Sequence, residues 1–278
     1  MSRRKRQRRE TPPPVPAPVP APVPAPETAP EPAAATATSA RPRSIGQLGP
    51  VLLLRAAHPR QALLTALAVA GVAALDGRVL REVGVVFATV LVGQAMIGWH
   101  NDLVDRSRDQ DDERPRKPLA DGSLEPGTVW FAVACGALLV VPLSITSGVV
   151  AGVAYLVALL VGLLGNVLFR GGWLSWLTWA VSYALYPAYL SYGGWGGAYR
   201  GDPPEIAITA LAGVLGVCVH VLRALPGLVQ DNRRGRRHLP LRLALKIGAP
   251  RLLYLTIAAT LLVVAGLAVV GTQVGLSQ

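Results

Sequence analysis

The sequence predicts an all-α protein, a polytopic transmembrane helical bundle with about seven spans. Three observations predict this fold class. Hydrophobic residues make up 51% of the 278-residue chain, and its mean hydropathy is +0.41, which is too apolar for an ordinary soluble domain. Several apolar segments approach the length of about 20 residues that crosses a bilayer. The charged residues lie mostly between these segments.

The N-terminal tail, residues 1–44, differs in composition from the rest. It begins with the basic run RRKRQRR, continues with repeated Pro-Ala-Pro-Val units and ends in an Ala/Thr-rich stretch. Such a segment has too few apolar residues to form a core, and its prolines favour extended polyproline II. We therefore expect a disordered cytoplasmic tail, followed by a membrane domain over residues 45–278.

The membrane domain divides into apolar segments joined by turn-like residues, such as Asp76-Gly77 and Gly171-Gly172. Their length and apolar character predict membrane-spanning helices. Seven spans are expected, over residues 59–75, 83–100, 127–144, 148–169, 173–192, 206–222 and 251–271.

Tyrosines in the fifth span recur at every third position, at Tyr183, Tyr186 and Tyr189. Aromatic residues are enriched where membrane and water meet, so an interfacial belt is one interpretation. A stripe facing an internal cavity is the other.

The distribution of basic residues predicts the orientation. With the tail in the cytoplasm, the loops after spans two and six lie on that same side, and the second is strongly basic, as the positive-inside rule requires. We expect a multi-pass protein of the cell membrane with a cytoplasmic N-terminus. The location of the basic residues thus accounts for the net charge of +11, so the charge does not indicate nucleic-acid binding. The basic residues of the second loop are Arg223, Arg233, Arg234, Arg236, Arg237, Arg242 and Lys246.

The first long loop begins with a cluster of acids at the end of span two. If the helix continues into this run, Asn101, Asp105 and Asp109 share one face, about 6 Å apart per step. Acids at a membrane mouth usually serve a ligand or an ion. Carboxylates and a carboxamide suit a hard cation such as Mg2+, which takes its remaining ligands from water and phosphate. The pattern therefore predicts a metal-diphosphate site at the membrane edge.

Basic residues follow these acids and complete the predicted site. Arg114 and Lys117 would neutralise the phosphate charge that the metal leaves. A solvated loop held by salt bridges is the alternative. The second loop has Asp231 as its only acid, and by itself it also fits a basic membrane anchor.

Together the two loops resemble the UbiA superfamily of intramembrane prenyltransferases. The run NDLVDRSRD is similar to that family's NDxxDxxxD signature, and ERPRKPLADG to its continuation. The segment ALPGLVQDNRRGRRHLPLRLA resembles the second signature, a DxxxD pair followed by a glycine, basic residues and His-Leu-Pro. The resemblance covers about residues 50 to 271.

The resemblance implies a helical bundle around a central cavity open to the cytoplasmic face. It also implies Mg2+-dependent transfer of an isoprenoid from a prenyl diphosphate to a lipophilic acceptor, often aromatic. By residue match, Arg114 and Lys117 would bind the diphosphate. Asp105, Asp109 and Asp231 would be the catalytic acids, and the metal ligands would be Asn101, Asp102, Asp105, Asp109 and Asp231.

Two departures from the family pattern leave other functions open. Gly227 stands where the first acid of the second signature is expected, and one span, where the family usually has more, follows the second loop. A catalytically degenerate member and a non-catalytic polytopic membrane protein therefore remain alternatives. A CDP-alcohol phosphatidyltransferase is disfavoured, because its Asp-Gly-x-x-Ala-Arg pattern does not occur.

Overall fold

The computed structural model describes residues 45–111, 117–194 and 201–274, and the regular structure within these ranges is helical. This confirms the predicted all-α class. The α-helices are α1 (Gly49–Ala56), α2 (Pro59–Leu75), α3 (Leu80–Asp111), α4 (Pro126–Ile145), α5 (Val149–Gly165), α6 (Leu177–Ala184), α7 (Tyr186–Ser191), α8 (Ile206–Ala224), α9 (Leu228–Arg233), α10 (Leu239–Ile247) and α11 (Ala249–Val274).

Six of the predicted spans correspond to single helices. Helices α3, α4, α8 and α11 are long and apolar enough to cross a membrane, and α2 and α5 are shorter apolar helices of 17 residues each. Helix α3 continues past the predicted end of its span, residue 100, as far as Asp111. The acidic run is therefore helical, as the predicted shared face required.

The fifth predicted span, residues 173–192, is not one helix. It consists of a 3-10 turn at Trp173–Trp176 followed by α6 and α7, with a break at Leu185. Pro187 explains the break, because it has no N–H for the carbonyl of Tyr183 and its ring clashes with that carbonyl. The proline thus divides this span into short helices.

Two tyrosines of this span lie in the core of the bundle. Tyr186 and Tyr189 are buried, and the ring centroid of Tyr189 lies 5.0 Å from that of Tyr155 on α5. The Tyr155 hydroxyl donates to the carbonyl of Thr89 at 3.0 Å. It lies so close to α3 that a Cβ on Gly93 would be 2.0 Å from its oxygen. The interfacial-belt interpretation therefore does not hold for Tyr186 and Tyr189, which join α7 to α5 and α3.

The outer surface of the bundle is strongly apolar. Many large hydrophobic side chains are exposed on this surface, among them Leu138, Leu262 and Phe131. Soluble monomers rarely expose contiguous apolar surface on this scale. Together with the helix lengths, this surface is that of a polytopic membrane protein.

The two polar segments meet at one end of the bundle. Arg170, in the connection from α5 to α6, contacts Asp105 near the end of α3. Arg234, after α9, donates to the carbonyl of Arg108 at 3.1 Å. At the opposite end, Arg78 before α3 donates to a main-chain carbonyl after α7 at 2.9 Å. The loops that span counting assigned to one side therefore do share a face.

Candidate functional site

Three carboxylates on α3, those of Asp102, Asp105 and Asp109, form a buried acidic stripe. They are 3%, 6% and 2% exposed, and their spacing puts them on one face of the helix. Asn101 lies at the edge of this face and is only partly buried. Helical spacing predicted a face shared by Asn101, Asp105 and Asp109, whereas the packing encloses Asp102 and leaves Asn101 at the margin.

Lys117 bridges the two ends of the acidic stripe. Its Nζ donates to Oδ1 of Asp102 at 2.9 Å and to Oδ2 of Asp109 at 2.7 Å. Burial disfavours the charged ammonium, but these two carboxylates outweigh burial and hold the pKa of Lys117 above its ordinary value. Leu119 anchors the returning chain in a small core with Leu52. Lys117, which was predicted to bind the diphosphate, is therefore paired with two of the predicted metal ligands.

Arginines hold the centre of the stripe. Asp105 forms ion pairs with Arg108, one turn along α3, and with Arg170. Its Oδ1 atom is buried and makes no hydrogen bond, because the Arg108 contact is an ion pair without hydrogen-bond geometry. Arg114, the other predicted diphosphate ligand, lies outside the described residues.

The second segment fixes its single acid with a histidine. Nδ1 of His238 accepts from the backbone N–H of Leu241 at 3.3 Å and so caps α10. The proton of a neutral ring must then be on Nε2, which donates to Oδ2 of Asp231 at 3.0 Å. Arg236 lies 3.7 Å from the other oxygen of Asp231. Asp231 is therefore oriented by its own segment.

Gly227, four residues before Asp231, leaves room for a larger side chain. Its φ of −97° is ordinary for any residue. A Cβ there would meet only Oδ2 of Asp231, at 3.4 Å. The backbone is thus compatible with an acid at this position, and an acid there would face Asp231.

Within the described residues, five side chains beyond the predicted site residues contact its acids: His58, Arg108, Arg170, Arg236 and His238. Two signals existed in the sequence. Arg170 directly precedes the Gly171-Gly172 turn, which span counting puts on the same side as the acidic run. His238 opens the His-Leu-Pro of the second signature. His58 directly precedes the first span, so span counting also puts it on the side of the acidic run, but no motif marks it as a partner of Asp102.

Comparison with known proteins bears on the family and the fold of the chain. The UbiA prenyltransferase family matches residues 62–277, whereas none of the curated proteins matches the chain. Among solved structures, a UbiA homolog from Archaeoglobus fulgidus bound to GPP and Mg2+ has the same fold, with a TM-score of 0.60 and 18% identity over 80% of this chain and 78% of that chain. A structure of a UbiA homolog from that organism bound to DMAPP and Mg2+ gives a TM-score of 0.57 and 20% identity, over 77% of this chain and 76% of that chain.

The family match includes both motif segments and every span from α2 onward. The structural similarity independently supports the fold, an all-helical bundle. The chain therefore belongs to the UbiA prenyltransferase family.

Proposed function

We propose that this protein transfers an isoprenoid group from a prenyl diphosphate to a lipophilic acceptor within the membrane, with Mg2+ as cofactor. Family membership supports the reaction class, and the GPP, DMAPP and Mg2+ bound to the Archaeoglobus homologs support the substrate and the cofactor. The observation that carries the proposal is the acidic stripe. Buried carboxylates are costly, and ionisable clusters at a membrane face usually serve function.

The residues of the stripe fit a cation of the Mg2+ type. Carboxylate and amide oxygens are the ligands of a hard cation, and the stripe presents three buried carboxylates on one face of α3. Among the described residues, no group of three or more His, Cys, Asp or Glu side chains is placed to hold a metal, so water and phosphate oxygens would have to complete the coordination of Mg2+. The proposed ligands are Asn101, Asp102, Asp105, Asp109 and Asp231.

The basic residues of the site would act on the diphosphate. Lys117 now neutralises Asp102 and Asp109. When a cation occupies the carboxylates, the Lys117 ammonium is released to bind a phosphate oxygen, since both are charge-assisted contacts of similar strength. Arg170 lies on the same face and adds a fork of donors suited to phosphate. Arg114 is proposed to join them.

The proposed reaction breaks the bond between C1 of the isoprenoid and the diphosphate oxygen, and the electron pair leaves with pyrophosphate. Mg2+ would stabilise the charge that develops on this leaving group. The acceptor atom bonds to the allylic carbon and loses a proton. Donors at the developing charge usually make a large contribution to rate. Lys117 and Arg170, which the stripe keeps at this face, are the proposed donors.

Product analysis tests the proposal. The full chain, purified and returned to lipid, would be incubated with GPP or DMAPP, Mg2+ and a panel of aromatic and other lipophilic acceptors. We expect pyrophosphate release and a prenylated product detected by mass spectrometry, both abolished by EDTA and restored by Mg2+. Release that persists in EDTA would contradict the metal assignment.

A catalytically degenerate family member is the second candidate, and one observation favours it. Gly227 lacks the acid of the second signature, so one carboxylate is missing from that segment. Such a protein would bind a prenyl diphosphate without releasing pyrophosphate. Binding of GPP that is retained through prolonged incubation with every acceptor would favour this function over the transferase.

The orientation is proposed from charge bias, with the N-terminus and both polar segments in the cytoplasm. Gln110 at the end of α3 is exposed and Arg234 is partly so. Each would be replaced in turn by cysteine in a chain whose own Cys135 and Cys218 are changed to serine. Both single-cysteine chains should react with an impermeant thiol reagent from the side of the N-terminus. Labelling from opposite sides would overturn the topology.

A further inference from the structure

A short segment before the family match reaches the acidic stripe. It comprises α1 and the turn Ala57-His58, and we call these residues, 49–58, the strap. Helix α1 is tied to α3, because Nε1 of Trp99 donates to the carbonyl of Leu53 at 2.9 Å. Leu52 and Ala56 are buried in the small core that anchors the first loop. The strap is therefore a packed part of the site.

His58, at the end of the strap, contacts a proposed metal ligand. Its Nε2 lies 3.0 Å from Oδ1 of Asp102, and a carboxylate accepts, so Nε2 carries the proton and donates. Lys117 donates to this same oxygen at 2.9 Å. His58 has φ 53° and ψ 58°, a left-handed conformation that is uncommon for any residue but glycine. The turn thus holds the imidazole against α3 in an unusual backbone conformation.

This close approach depends on a glycine of α3. A Cβ on Gly98 would lie 2.7 Å from the carbonyl oxygen of Ala57 and 3.1 Å from Cδ2 of His58. Any side chain at residue 98 would therefore push the strap and its imidazole away from Asp102. Gly84, on the same helix, meets nothing within 4 Å of an added Cβ, and so provides a matched control.

We propose that His58 is a positioning residue for the cation site. It would keep its hydrogen bond to Oδ1 of Asp102 when Lys117 binds the diphosphate, and so would keep this carboxylate oriented for the cation. This inference rests on the proposed function. Carboxylates that bind metals are commonly fixed by such a second hydrogen bond, and its loss typically weakens metal affinity by about 10–100-fold. The family match begins at residue 62, so the strap is not covered by it.

Cation binding measured without turnover tests this role. Mn2+ shares the oxygen-ligand preference of Mg2+, and its binding to the full chain in nanodiscs can be followed by electron paramagnetic resonance. His58→Phe should weaken Mn2+ binding about 10–100-fold, and His58→Gln, which retains a donor, should restore it to within a few-fold. Gly98→Ala should weaken binding as His58→Phe does, whereas Gly84→Ala and the exposed Arg60→Gln should not.

Turnover provides a second measurement. In the prenyl transfer assay, His58→Phe should raise the KM for Mg2+ more than it lowers kcat, because saturating Mg2+ compensates for weaker binding. Unchanged Mn2+ affinity in His58→Phe, with weakened binding in Asp105→Asn, would overturn the inference and leave the proposed function intact. Unchanged affinity in both would overturn the cation site itself. Weak binding in His58→Phe that His58→Gln does not restore would assign a packing role to the ring and overturn the inference.

Discussion

The acidic stripe and the second signature segment lie at the same end of the bundle but are built differently. The stripe has three buried carboxylates, and their partners come from the strap, the first loop, α3 itself and the α5–α6 connection. The second segment has one acid, Asp231, held by His238 seven residues later. Partners distant in sequence hold Asp102 and pair with Asp105, whereas His238 and Arg236 hold Asp231 from within its own segment.

The difference indicates how charge is distributed in the site. Negative charge is concentrated on α3, where Arg108, Lys117 and Arg170 balance it. The second segment lacks an acid at Gly227. We infer that the stripe contributes most of the cation affinity and that the second segment contributes less. Four changes to the chain, taken from the largest expected effect to the smallest, test this unequal contribution to cation affinity.

Asp105→Asn should have the largest effect. The amide keeps the size of the side chain but brings no negative charge to the cation, and losing several kcal/mol of charge stabilisation lowers kcat on the order of a thousand-fold. Pyrophosphate release at saturating GPP measures it, with thermal unfolding to verify folding. Asp111→Asn, exposed at the end of the same helix, is the matched control. Full activity in Asp105→Asn would contradict the inference that the stripe contributes most of the cation affinity.

Lys117→Met should destabilise the protein when Mg2+ is absent. Removing one partner of a buried ion pair costs about 3–5 kcal/mol, and here two carboxylates lose their partner. Because the pKa of Lys117 is raised above 10.5, its contribution is complete below that pH and is lost only as pH rises beyond it. The loss of thermal stability should therefore be constant across the neutral range.

Added Mg2+ should recover much of the stability of Lys117→Met, since a cation then balances the stripe. The exposed Lys246→Met in α10 is the control and should behave as the unchanged protein. If Mg2+ stabilises Lys117→Met no more than it stabilises the unchanged protein, Lys117 and the cation do not share the carboxylates.

Gly227→Asp should raise the contribution of the second segment to cation affinity, so that it comes closer to that of the stripe. The added carboxylate has room beside Asp231, and one more acidic ligand should raise Mg2+ affinity about tenfold, a change of roughly 1.4 kcal/mol. The KM for Mg2+ measures this, and Gly227→Asn separates charge from size. Equal values for Gly227→Asp and Gly227→Asn would show that charge at this position is not limiting. Absence of turnover in both the unchanged chain and Gly227→Asp would favour the degenerate member.

Deleting residues 2–40 should have the smallest effect. The tail has no pattern that forms a core, and both regions of the site lie in the membrane domain. Prenyl transfer should remain within a few-fold of that of the full chain at equal protein concentration. Complete loss of prenyl transfer with normal expression would show that the reaction requires the tail.

The helices and the acids could be predicted from the sequence, but their partners could not. Apolar length and the three- and four-residue spacing of Asp102, Asp105 and Asp109 are local properties, so the spans and the acidic face follow from them. The break in the fifth span follows from Pro187, although the apolar length of residues 173–192 predicted one helix. Arg170 and His58 reach their acids across 65 and 44 residues, and no local periodicity encodes such pairs.

By itself, the sequence determined the all-α membrane class, the shared face of the two polar loops and the family, because each depends on composition, periodicity or a contiguous motif. The tertiary structure decided which cations neutralise the acids, that Asp102 rather than Asn101 is enclosed, and that Gly98 admits the strap to the site. The physical reason is that burial and ion pairing arise only when helices distant in sequence pack at close range.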